Sequence, residues 1–192
     1  MNYGDLKSHF ESLLNRSDIT PALTTQFIDD GIARIQRTLR TPMQEKILSV
    51  AISAPTPSLT FPADFLETIS LYFDQYELQR VPMKRYLELN KGAHTGNPMY
   101  FTREGPKLLL YPQPASGTLV LYYYAEMPAL VNATDETPMT QVASNLIIYS
   151  ALTFASDFYL DERAELFEAK YNQLLLEHQE MANDQELNGS TQ

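Results

Sequence analysis

Thr118-Leu119-Val120-Leu121-Tyr122-Tyr123-Tyr124-Ala125 is the stretch whose reading decides the fold. It carries no charge, and its β-branched and aromatic content favours a strand. Leu119, Leu121 and Tyr123 fall on one face, Val120, Tyr122 and Tyr124 on the other. With both faces apolar, the strand is predicted to be buried on two sides, within its own fold or against a neighbouring subunit. Outward from it, residues 47–53, 66–73, 76–81, 99–102 and 107–111 read as further strands, bounded by Pro, Gly, Asn and Asp. Glu104-Gly105-Pro106 is expected to turn one hairpin, and residues 83–90 to form a short helix.

Further out the pattern changes period. Of the 12 prolines, 11 lie between Pro42 and Pro138, so the two ends are free to be helical. Residues 3–14 carry Leu6, Phe10, Leu13 and Leu14 at helical spacing. Thr20-Pro21 starts a second helix, striped by Leu23, Phe27, Ile28, Ile32, Ile35 and Leu39, and Thr41-Pro42 stops it. Thr137-Pro138 repeats the same start, and residues 141–156 are apolar nearly all round, as in the central helix of a bundle. From Asp161 a seam of Leu160, Ala164, Phe167, Tyr171, Leu174, His178 and Met181 predicts a helix of about 40 Å, followed by a mobile tail over 187–192. The expected fold is α+β: a discontinuous helical bundle from residues 1–46 and 138–192, with a β-rich lobe inserted at 47–137.

Composition narrows the function. The chain has 192 residues, 44% of them hydrophobic and 20% charged, which is globular composition. It has no cysteine, so disulfide frameworks, thiolate zinc sites and cysteine nucleophiles are excluded. The net charge of −10 is the wrong sign for gripping phosphate backbones. Met1 to Arg16 has no apolar signal core, and 141–156 is too short to span a membrane, so a soluble protein made in the cytoplasm is expected.

Catalytic motifs are missing. His9, His94 and His178 show no metal spacing, Gly92-Ala93-His94-Thr95-Gly96 lacks the Lys-Ser/Thr of a phosphate loop, and no G-x-S-x-G elbow occurs. Asp29-Asp30, Asp135-Glu136 and Asp161-Glu162 read as solvated pairs rather than acid–base dyads. The expectation is a protein without catalytic residues, cofactor or metal.

Interaction is the better reading. Arg34, Arg37 and Arg40 recur every third residue near the end of the second helix, where they complement its C-terminus or meet a partner. Residues 157–187 carry nine acids against Arg163 and Lys170. Eight of the 12 tyrosines lie between Tyr72 and Tyr124, and tyrosine suits contacts that bury a ring while its hydroxyl stays wet. The interface candidates are Arg34, Arg37, Arg40, Tyr122, Tyr124, Tyr171, His178 and Met181. The alternative is a soluble β-module that binds carbohydrate or peptide through a Tyr-rich face.

Several motifs in order also carry a family resemblance. Leu59-Thr60-Phe61-Pro62-Ala63-Asp64-Phe65-Leu66-Glu67 resembles the LP-x-DF signature of the head-to-tail adaptor (connector) proteins of short-tailed phages. Gly96-Asn97-Pro98-Met99-Tyr100 is similar to their G-x-P-x-x-Y loop, followed as in the family by Leu108-Leu109-Leu110-Tyr111-Pro112-Gln113-Pro114 and the strand from Leu119 to Tyr124. Tyr3-Gly4-Asp5-Leu6 and the stretch from Phe27 to Met43 resemble the family's first two helices. The resemblance implies a structural virion protein at the head–tail junction. It would form a ring of itself, about twelve copies closed by rotation, that joins the portal protein to the tail nozzle or tail fibre proteins. Double-stranded DNA would pass through without specific binding, and no membrane is involved. On that reading the C-terminal helix and tail, residues 157–192, are expected to provide the portal-side attachment.

Overall fold

A computed structural model describes the backbone of residues 1–92 and 94–189, and side chains up to Asp184. The fold is α+β, and the chain divides into two compact units, Met1–Gln44 with Met127–Gln192, and Glu45–Glu126.

The first unit is helical: α1 (Tyr3–Leu14), α2 (Pro21–Thr38), α4 (Pro138–Val142), α5 (Ser144–Tyr159) and α6 (Ala164–Gly189). Its starts follow from the caps in the sequence. Asn2 accepts the Asp5 N–H at 2.8 Å, Thr20 accepts the Leu23 N–H, and Thr137 and Thr140 form a reciprocal capping box. α5 is the centre, with Leu146, Ile147, Ile148, Ala151, Leu152 and Ala155 fully buried against α1, α2 and α6. Gly31 of α2 sits so close to α5 that a Cβ there would lie 2.8 Å from the Ala151 nitrogen. The Ser150 hydroxyl donates to the Gly31 carbonyl across the same contact, at 3.0 Å.

Three expectations for this unit are corrected. Residues 127–137 cluster with the helices, not the lobe: Leu130 joins the helical core, Met127 N–H bonds the Gln36 side chain, and Tyr3 and Gly4 donate to Asp135 and Ala133. The helix read over 141–156 is two helices, interrupted at Ala143 (φ −121°, ψ 30°). Leu160 is not on the seam of α6; it is the left-handed cap of α5 and 88% exposed. The Asp161 carboxylate accepts the Arg163 N–H at 2.9 Å, so α6 begins only at Ala164. It then runs through Gly189, about 39 Å, into the stretch read as a tail, of which residues 190–192 lie outside the described residues.

The second unit is the β lobe. One sheet has the order β1-β8-β3-β4, formed by β1 (Glu45–Ile52), β8 (Gly117–Ala125), β3 (Phe65–Phe73) and β4 (Tyr76–Glu77). The other has the order β2-β7-β6-β5, formed by β2 (Ser58–Thr60), β7 (Lys107–Tyr111), β6 (Tyr100–Glu104) and β5 (Gln79–Arg80). The short helix α3 (Met83–Leu89) follows β5. β6 and β7 form the expected hairpin, turning at Gly105 with φ +57°. The two sheets enclose one core of Ile52, Leu71, Phe73, Leu119, Leu121 and Tyr123 from the first and Phe101, Leu108 and Leu110 from the second. The single strand expected over 76–81 is split: Leu78 turns into the core, its N–H still bonded to Leu71, while the Gln79 N–H bonds Met99. The chain changes sheets between those two residues. β2 had no strand signal of its own.

Candidate interaction surfaces

β8 is the central strand of its sheet, paired to β1 on one side and β3 on the other. Leu119, Leu121, Tyr123 and Ala125 are buried in the lobe's core, whereas Val120 and Tyr124 are half-buried and Tyr122 is 37% exposed. Burial on both sides within the fold is therefore not what the strand has. On the outer face Tyr122 stands opposite Ile47 of β1, which is 64% exposed, and meets Tyr72 of β3 edge to face at 5.9 Å. Tyr72 is in turn opposite Val120. The result is an aromatic and aliphatic patch laid on a sheet whose inner strand β8 is paired on both sides. Burying Ile47 alone would contribute about 1.5 kcal/mol. Such a patch favours contact with a second apolar surface.

The platform is held by the LP-x-DF-like segment. The Asp64 carboxylate takes the Lys46 ammonium of β1 at 2.6 Å and the Tyr123 hydroxyl of β8 at 3.1 Å, which holds its acid form well down in pH. Phe65 stacks on Phe61 at 4.0 Å and lies near Tyr123 at 5.9 Å. These motif residues tie strands of the lobe together.

In the helical unit several candidates lie inside the fold. The Arg34 guanidinium grips Glu168 of α6 through two bonds of 2.9 and 2.7 Å, donates to Thr153 of α5 at 3.0 Å, and lies 4.1 Å over the Tyr171 ring. Hydrogen bonding to Arg34 pulls the Glu168 carboxyl below its ordinary range. Arg34 and Tyr171, the latter buried, are thus clamps joining three helices. Arg40 donates to the carbonyls of Gln36 and Leu39 at the end of α2, among further partners. Only Arg37 of the row is exposed. His178 is half-buried, Met181 is 47% exposed, and Ala182 beside it is buried, so α6 packs within its unit at least that far. Of the eight candidates, Tyr122 and Tyr124 share a surface of the lobe, and Arg37 and Met181 are exposed on the helices. The candidates are divided between the two units.

Carboxylates also serve structure. Asp161 binds Arg163, which donates to the carbonyls of Leu13 and Leu14 and so caps α1 from the far end of the chain. Hydrogen bonds from Arg163 bring the Asp161 pKa to about 2. Asp135 accepts the backbone N–H groups of Val131 and Asn132. Among the described residues no group of three or more His, Asp or Glu side chains is arranged to hold a metal, and no helix is long and apolar enough to cross a membrane. Two features left no trace in the sequence reading: the cleft between the sheets at Ile69, Arg80 and Phe101, and the close contact at Gly31.

No curated protein matches the chain. A family model does, over residues 1–191, and its description is SU10 adaptor protein. That match takes in both units and every motif discussed above, and with it the chain belongs to the SU10 adaptor protein family, a family of phage adaptor proteins.

Proposed function

We propose that the protein is the adaptor that joins the portal to the tail nozzle, as a ring of identical copies around the path of the DNA. Membership of a phage adaptor family makes it a virion component that associates with other head and tail proteins. The observation that carries the finer reading is the outer face of β8, where Tyr122, Val120, Ile47 and Tyr72 leave apolar surface unburied on the sheet. An adaptor works by contact, and this is the surface of the lobe built for it. The charge supports the same reading. A lumen of net negative protein makes no favourable phosphate contact and releases no counterions, so DNA slides past it. The reading is one of assembly, and it is in keeping with Arg34, Arg40, Arg163, Asp161 and Glu168 being engaged in capping and clamping helices. On the helical side, the outward face of α6, with Leu176 and Met181 exposed among Glu177, Glu180 and Asp184, is proposed as the portal-side contact.

Negative-stain imaging of the protein with and without cognate portal rings tests this. Rings seated on the portal are expected, and gel shifts with duplex DNA at about 0.15 M salt should show no specific complex. Single copies that never associate with the portal, or sub-micromolar DNA binding, would overturn the reading.

A further inference from the structure

The β lobe is open along one side. β4 pairs only with Tyr72 and Phe73 of β3, and the Leu78 N–H is bonded to the Leu71 carbonyl. Among the described residues no strand therefore lies beside 65–70 on that edge, a stretch whose pairing with β8 is irregular between Phe65 and Glu67 and between Thr68 and Ser70. β5 pairs only with Tyr100 and Phe101 of β6, so among the described residues no strand lies beside Thr102 to Glu104 on the corresponding edge of the other sheet, although Thr102 itself is buried. Between the two edges lies a cleft of about 390 Å³, lined by Ile69, Leu71, Leu78, Arg80 and Phe101 among others. It continues through Thr68, Arg80 and Phe101 into a second cleft of about 170 Å³ bordered by Phe61, Phe65 and Arg103. Ile69 is 44% exposed at the rim, while Phe101 forms a buried floor.

The stretch of chain from Gln79 to Lys107 is basic, with Arg80, Lys84, Arg85, Lys91, Arg103 and Lys107 against Glu88 and Glu104 in a chain of net charge −10, and of these Arg80 and Arg103 line the clefts. Arg80 and Arg103 stand at the cleft itself, both exposed; Arg103 is propped by its bond to the Gly105 carbonyl and by the rings of Phe61 and Phe65. Glu67 and Glu77 border the β3 side.

We propose that this groove receives an extended, acidic segment of a partner protein, which adds as a strand to the open edge of β3. Backbone hydrogen bonds to β3 would supply affinity without sequence dependence. Alternate side chains of the added strand would point into the groove, where Ile69 and Phe101 favour an aliphatic residue. Flanking carboxylates would meet Arg80 and Arg103 in charge-assisted bonds. The alternative occupant of a basic surface is a nucleic-acid backbone. An apolar floor between two strand edges fits a peptide better, since phosphate contacts need neither. The inference stands apart from the ring proposed above, because it uses a different side of the lobe and does not depend on self-association.

The test uses the full chain and fluorescein-labelled, end-capped peptides of about six residues, the length of an ordinary strand, alternating glutamate and valine or lysine and valine. A duplex DNA of random sequence is the third probe, and binding is read by fluorescence anisotropy at about 0.15 M salt. The glutamate–valine peptide is expected to bind and the other two probes not to. Ile69→Lys, which places a guarding charge on the edge, should weaken binding about tenfold, and so should Arg80→Glu combined with Arg103→Glu. All three residues are exposed, so the variants should melt as the wild type does. Hydrogen exchange should slow at residues 66–70 on peptide addition. No binding at about 1 mM peptide, equal binding by the variants, or DNA binding that the arginine reversals abolish would each overturn the proposal.

Discussion

The helical unit and the β lobe use the same kinds of side chain for opposite ends. In the helices, charged and aromatic residues at regular spacing are turned inward to join segments distant in sequence: Arg34 reaches Glu168 and Tyr171, and Arg163 reaches Leu13 and Leu14. In the lobe, Asp64 and Lys46 brace the sheet from one end, and Tyr122 of β8 is left facing out while Tyr123 fills the core. A discontinuous helical unit needs clamps because its first two helices and its last three come from opposite ends of the chain. A two-sheet lobe closes its core with one face of each strand and so has a second face available. The lobe's surface for partners is therefore to be sought on its strands, and a charged row on a helix is to be suspected of holding that helix in place.

The contrast breaks most sharply at Gly31. Gly31→Ala puts a Cβ 2.8 Å from the backbone nitrogen of Ala151, and backbone cannot swing aside as a side chain can. The helical unit should lose about 1–3 kcal/mol, read as a lowered melting temperature in circular dichroism. An unchanged melt would mean that α2 and α5 do not pack this closely. In the lobe the expected effect is of another kind. Ile47→Glu with Tyr122→Glu should cost less than about 1 kcal/mol of stability, since both side chains are already exposed, yet prevent assembly on portal rings in mass photometry.

Acid should act on both units, through different carboxylates. Asp161 and Glu168 both have folded-state pKa values below their ordinary ones, Asp161 at about 2, so each stabilises the fold fully above the ordinary carboxylate range. That contribution is lost as pH falls through the lowered values. The helical unit should therefore destabilise progressively below about pH 4, and Glu168→Gln should flatten part of that dependence. Asp64 gives the lobe the same sign of dependence, through Lys46 and Tyr123. The smallest effect expected is that of Arg37→Ala, within about 0.5 kcal/mol and with assembly unaffected. Arg34→Ala, which strips a clamp from three helices, should cost about 1 kcal/mol.

How much of this was legible follows from the range of each interaction. α1 and the start of α2 were readable because caps and helical stripes are local: Thr20-Pro21 and Leu6–Phe10 act within a few residues. The hairpin at Gly105 was readable for the same reason. The segment 127–137 was not, because its allegiance is fixed by hydrogen bonds to Tyr3, Gly4 and Gln36, far away in sequence. Arg34 looked like a surface residue because nothing local shows that Glu168 lies 134 positions on and within 2.7 Å. Tyr122 was identified as a contact residue because a strand with two apolar faces needs a second covering, although the sequence could not show which face the lobe itself covers. The groove beside β3 was invisible because it arises from strands that stop short, and Tyr76–Glu77 and Gln79–Arg80 read as one strand.

The central claim is that partners meet the outer face of β8 and not the arginine row of α2. Hydroxyl-radical footprinting of the free protein and of the protein assembled on portal rings measures this side chain by side chain. The account predicts that Tyr122, Tyr72 and Ile47 are oxidised in the free protein and protected on assembly, while buried Tyr171 is unreactive in both and exposed Arg37 is unchanged. Equal labelling of Tyr122 and Ile47 in both states, with protection appearing around Arg37 instead, would contradict it.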